Sequence, residues 1–195
     1  MITSPNPVPD TVHVLAIPGS LRAASYNRLI LDAATTLDVP GTTMEVFGEV
    51  ADIPVFNEDL QNQAPDGVHS LWSAVSAADA LLFATPEYNQ SLPGSTKNLI
   101  DWLSRAPEGG DVTDKPVAVI GATTGPWGTR IAQTQLRHAL LGRGAFVLPA
   151  PTLFIRHVDT LFTANVLTDH ATLEALQGVI TALAVWTRRV RPGPA

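Results

Sequence analysis

Two runs, ALLFA at residues 80–84 and VAVI at residues 117–120, are apolar at every position. A strand without alternation needs cover on both faces, and parallel sheets flanked by helices provide it. Other short apolar runs alternate with segments whose apolar residues recur at helical spacing. Strands are expected at residues 12–17 (VHVLAI), 43–47, 80–84, 117–120 and 146–148. Helices are expected at 27–37, 66–77, 94–104, 130–141 and 168–189, with 48–65 irregular. The 130–141 helix is expected to turn Ile131, Leu136, Leu140 and Leu141 inward, with Arg137 and His138 on its exposed side or at a subunit interface. Strand–helix alternation implies right-handed parallel crossovers. The fold class is therefore α/β, a three-layer sandwich around a five-stranded parallel sheet.

The 195 residues, 45% hydrophobic, read as one domain without linker or repeat. Eighteen acidic residues against twelve Lys and Arg give a net charge of −6. That balance argues against nucleic acid or an anionic membrane as a partner, while leaving room for a local basic pocket. There is no cysteine. Disulfides, thiolate metal sites and cysteine nucleophiles are excluded, and a reducing, cytoplasmic location fits. The opening MITSPNPVPDT lacks the basic start and apolar run of a signal peptide, and residues 175–187 are too short to span a bilayer. Residues 1–11 and 190–195 read as flexible tails. The five histidines show no ligand spacing, so no metal site is expected.

Ligands of such sheets sit beyond the carboxyl ends of the strands, which directs attention to three loops. The first, PGSLRAASYN at residues 18–27, brings Ser20, Arg22, Ser25 and Asn27 to a helix N-terminus. Free backbone N–H groups, the helix dipole, hydroxyls and a guanidinium suit a phosphate. Neither a triphosphate loop nor a G-x-G-x-x-G fingerprint is present, so a monophosphate is the natural guest. Equally, Ser25 or Asn27 could merely cap the helix with Arg22 solvated. The second loop, TPEYNQSLPG at 85–94, is stiffened by two prolines and offers backbone groups to a planar heterocycle, with Tyr88 as an apolar wall. Tyr88 as packing and Glu87 as a surface acid are the alternative. The third, GATTGPWGTR at 121–130, has three glycines that allow close backbone approach. Together the loops describe a phosphate seat, a ring clamp and a glycine-rich flank, a layout that fits FMN.

The pieces GSLRAASYNRLI, TPEYNQSLPGSTKNLIDWLSR and GATTGPWGTRIAQTQLRHALLGRGAFVLP resemble the NADPH-dependent FMN reductases, a flavodoxin-like family that includes quinone, chromate and azo reductases. The resemblance runs from about residue 12 to about residue 148. It implies strand order 2-1-3-4-5, bound FMN, NADPH or NADH as co-substrate, and a homodimer or homotetramer. Ser20, Arg22, Ser25 and Asn27, with Tyr26 between them, match the FMN-phosphate loop. Pro86, Glu87, Tyr88 and Asn89 match the isoalloxazine loop, and Thr123, Thr124 and Gly125 the third flavin-facing loop. Pro126-Trp127-Gly128-Thr129 departs from the adjacent glycines common in the family, Ser95-Thr96 from a smaller or apolar pair, and Asn165 from a glycine turn. The expected activity is two-electron transfer from NAD(P)H through FMN to a small-molecule acceptor (quinone, free flavin, azo compound or metal oxyanion) in ping-pong order. No protein side chain is expected to be catalytic. An FMN-binding electron carrier and a non-enzymatic flavin-fold regulator are the alternatives.

Overall fold

The computed structural model describes residues 11–48 and 50–190. Strands β1 (Val12–Pro18), β2 (Thr42–Val46), β3 (Ala80–Ala84), β4 (Pro116–Ala122) and β5 (Phe146–Val147) form a parallel sheet in the order β2-β1-β3-β4-β5. Helices α1 (Tyr26–Thr35), α2 (Asp66–Ala77), α3 (Gly94–Leu103), α4 (Arg130–Gly142) and α5 (His170–Val190) complete the expected flavodoxin-like architecture.

The unbroken apolar strands serve two cores. Leu15, Ile17, Leu81, Phe83, Val117 and Val119 face α2, α3 and α4, while Val14, Ala16, Leu82, Ala84, Ala118 and Ile120 face α1 and α5. Successive side chains point to opposite faces, so both registers must be apolar. β2 alternates half-buried and exposed residues, as an edge strand does.

The fifth strand position is split, where a single short strand was expected. β5 pairs with the first half of β4, and β6 (Leu153–Ile155) pairs with Ile120, Gly121 and Ala122. Pro149 and Pro151 lie in the gap and have no N–H to give to a ladder. Arg137 enters this gap. Its guanidinium donates to the carbonyls of Leu148 and, at 3.3 Å, Pro149. It is therefore half-buried rather than on the outer side with His138, and burial lowers its pKa. Ile131 and Leu141 also depart from expectation and are exposed. The inward stripe of α4 is Ala132, Leu136 and Leu140, four residues apart, with Gln133 beside it. A further hairpin, β7 (Phe162–Thr163) and β8 (Val166–Leu167), precedes α5. Its turn residues Ala164 and Asn165 both have positive φ.

The irregular stretch after β2 is fastened to α3. Asn98 Oδ1 accepts from Phe56 N at 2.7 Å, and Asn98 Nδ2 and Trp102 Nε1 donate to Pro54 O at 2.9 and 2.8 Å. Trp102 is fully buried against Trp72 and Phe56, so this tryptophan packs the helix against its neighbours.

Residues 1–10 and 191–195 of the expected tails lie outside the described residues. Arg188, Arg189 and Val190 belong to α5, where the two arginines meet the negative end of the helix dipole. At its other end Asp169 accepts from Thr172 Oγ1 at 2.7 Å and Thr172 N at 2.8 Å. The hydroxyl bond, then the backbone bond, lowers the Asp169 pKa. A depressed carboxylate stabilises the fold above its unfolded pKa, and that contribution disappears as pH falls through the folded one. Asp169→Asn keeps an acceptor without the titration. Its thermal midpoint is expected to fall less steeply with pH below about 4 than that of the unmodified chain. Identical slopes would show that Asp169 plays no part in acid unfolding.

Candidate functional site

β1, β3 and β4 end side by side, and their loops close around a cleft of about 200 Å³. Its lining holds Ser20, Arg22, Ser25, Tyr26 and Asn27 from the first loop, Pro86, Glu87 and Tyr88 from the second, and Ala122, Thr123 and Thr124 from the third. Of the residues singled out in the sequence, Asn89 and Gly125 are not in this lining.

The first loop is seated on α3. Gly19 N donates to Ala84 O at 2.8 Å, and Gly19 O accepts from Ser95 Oγ at 2.7 Å and Thr96 Oγ1 at 3.2 Å. A Cβ on Gly19 would lie 2.4 Å from Thr96 Oγ1, so the contact requires glycine. The Ser95-Thr96 pair, a departure in the sequence, thus positions the loop. Ser25 is the N-cap of α1 in extended backbone, with Arg28 N 3.4 Å from its Oγ. At N1 and N2, the N–H groups of Tyr26 and Asn27 have no carbonyl to reach within the helix. Arg22 is exposed, folded back onto Ala24 O and over the Tyr26 ring at 5.7 Å.

Asn27, at N2, does not cap α1. It is buried, its Nδ2 donates to Ala122 O at 3.0 Å, and its Oδ1 accepts from Ala122 N at 2.9 Å. The amide side chain satisfies both backbone groups at the end of β4 and ties the first loop to the third.

In the second loop Tyr88 and Ser91 exchange backbone hydrogen bonds of 3.2 and 3.0 Å. Asn89 and Gln90, with φ of 51° and 57°, form the tip of this tight hairpin. Asn89 is thus exposed at a turn. Tyr88 OH lies 3.4 Å from Ser20 Oγ, bridging two walls of the cleft. Glu87 Oε2 accepts from Ile131 N at 2.8 Å and Ala132 N at 3.0 Å, so its carboxylate caps α4.

The third loop leans on β6. Thr123 N donates to Ile155 O at 3.0 Å and Gly125 N to Thr123 Oγ1 at 3.2 Å. Gly125 so shapes the loop from behind the lining. A Cβ on Gly121 would meet Thr129 Oγ1 at 2.0 Å and Thr85 O at 2.3 Å. Trp127 projects into solvent, 76% exposed.

The donor set fits a phosphate monoester. Ser20, Ser25 and Thr124, which carry hydroxyls, line the cleft together with Arg22 and the first two residues of α1, and the carboxylate among them, Glu87, is already held by two N–H groups. Among the described residues no group of three His, Asp or Glu is placed to hold a metal, and no helix is long and apolar enough to cross a membrane.

Comparison with known proteins gives the family. The family model described as NADPH-dependent FMN reductase matches residues 12–160. An NAD(P)H-dependent FMN reductase of Pseudomonas aeruginosa is 41% identical, covering 93% of this chain and 98% of that protein. A quinone reductase of Escherichia coli K12 is 34% identical over 93% of this chain and 98% of its own. Among solved structures, the flavoenzyme NAD(P)H:(acceptor) oxidoreductase FerB of Paracoccus denitrificans superposes with a TM-score of 0.81 at 33% identity, over 92% and 98% of the two chains. The chain belongs to the NADPH-dependent FMN reductase family of oxidoreductases.

Proposed function

We propose that this protein binds FMN in the cleft and passes two electrons from NAD(P)H to a small acceptor, a quinone first, with free flavins, azo compounds or metal oxyanions as further acceptors. The convergence of Ser20, Arg22, Ser25 and the α1 N-terminus on one cleft carries this reading, because that donor set has the chemistry of a phosphate seat. FMN, when bound, supplies a ring that accepts hydride from a reduced nicotinamide and yields two electrons to an acceptor. The chain's part is binding and exclusion. The first loop holds the phosphate, and backbone groups of Glu87 and Thr124, both in the cleft lining, meet the ring edge. Pro86 and Tyr88 keep water from it. Relatives described as quinone reductases, and one as a 2-hydroxy-1,4-benzoquinone reductase, support the choice of acceptor. One cleft serving both substrates supports ping-pong order. The family resemblance supports a homo-oligomer, and the cysteine-free sequence fits the cytoplasm.

The purified protein, or apoprotein given FMN, is expected to be yellow and to lose its flavin absorbance when NADPH is added anaerobically. Adding a benzoquinone restores the colour. Double-reciprocal plots at several quinone concentrations are expected to be parallel. Protein that FMN cannot colour, or colour that neither NADPH nor NADH bleaches, would overturn the assignment, and intersecting lines would overturn the order.

A further inference from the structure

Glu87 stands in the loop after β3, yet its carboxylate serves α4. The N–H groups it accepts from, Ile131 and Ala132, are first-turn amides at the positive end of that helix. α4 has no substitute there, since Thr129 makes no side-chain cap and the first turn holds no acid. One turn further on, Gln135 Oε1 accepts from Ser91 Oγ at 3.0 Å and Leu92 N at 2.8 Å. Two straps from α4 therefore flank the Tyr88–Ser91 hairpin. They hold a turn whose two central residues have positive φ without being glycine, a conformation that Asn89 tolerates and that costs Gln90 more.

We propose that Glu87 is a positioning residue for the flavin ring, fixing the second loop against α4 and stationing a negative charge beside the cleft. This rests on the FMN reading. The helix end offsets about half of the carboxylate's charge. The remainder opposes the arrival of electrons on a neighbouring ring, so Glu87 holds the potential of bound FMN below the value it would otherwise have.

Two substitutions separate geometry from charge. Glu87→Gln keeps the length and one acceptor while removing the charge. Its affinity for oxidised FMN is expected to fall by no more than about threefold. Its affinity for reduced FMN rises relative to oxidised by about tenfold, a midpoint shift of about +30 mV. Glu87→Ala removes the strap. In the apoprotein, hydrogen exchange at Ile131 and Ala132 is expected to quicken by about tenfold or more, and the Kd for FMN to rise about tenfold. An unchanged potential in Glu87→Gln, or unchanged exchange in Glu87→Ala, overturns the proposal. If Glu87→Ala does not fold, the potential of Glu87→Gln decides it. A native chain that takes up no FMN defeats the functional reading instead, and the exchange measurement still reports whether Glu87 holds α4.

Discussion

Asn27→Ala is expected to lower stability toward urea by about 2–6 kcal/mol, because it strands two buried backbone groups at about 1–3 kcal/mol each. Those groups are the N–H and C=O of Ala122, which bond the Asn27 amide and lie at the end of a fully buried strand. Water cannot readily replace the amide, since Asn27 itself is only 4% exposed. Asn27→Leu is expected to lose a similar amount although it fills the space, which assigns the loss to hydrogen bonding rather than to a cavity. Asn27→Asp keeps an acceptor for Ala122 N–H, cannot donate to Ala122 O, and brings an anion to the phosphate seat. It is expected to lose FMN affinity out of proportion to its stability. An Asn27→Ala loss below about 0.5 kcal/mol, the range of unremarkable surface substitutions, would show that the tie between the first and third loops carries little.

That tie marks the boundary between what the sequence discloses and what only the fold does. The three loops were legible because each follows a strand apolar enough to be recognised, and a parallel sheet with crossovers brings such strand ends together. Asn27 was legible as a cleft residue, since its position at a helix start is local information. Its partner lies 95 residues away and leaves no local mark. Glu87 is similar, 44 residues from Ile131. One clue was available: α4 opens without an acid or a capping side chain, so an acceptor had to come from elsewhere. Asn89 shares its loop with cleft residues but stands at the turn. The pair Asn89-Gln90 between Tyr88 and Ser91 is also a tight-turn signal, because asparagine tolerates positive φ. Ile131 and Leu141 are apolar but exposed, because helical phase and not composition decides which residues turn inward. Leu136 and Leu140 set the buried line, and Leu141 stands about 100° from it. Pro149 and Pro151 made the break in the fifth strand foreseeable, though not its resumption as β6.

Arg22→Ala is expected to weaken FMN binding by about 1.5–3 kcal/mol, the worth of a charge-assisted hydrogen bond, or roughly 10- to 150-fold in Kd. Stability of the apoprotein is expected to stay the same. The side chain is exposed, and its present contacts are a carbonyl two residues away and the face of Tyr26. Riboflavin isolates the effect, as it carries the same ring without the phosphate. The variant and the unmodified chain are expected to bind riboflavin equally, and the FMN difference to shrink as salt is raised, because an exposed cation is screened. Arg22→Lys retains the charge and loses the planar fork, so its affinity should fall between the two. An equal loss for riboflavin and FMN would move Arg22 from the phosphate to the ring. An unchanged FMN Kd would leave the α1 N-terminus and the hydroxyls of Ser20 and Ser25 as the seat, with the guanidinium staying on Ala24 and Tyr26 in the bound protein as well.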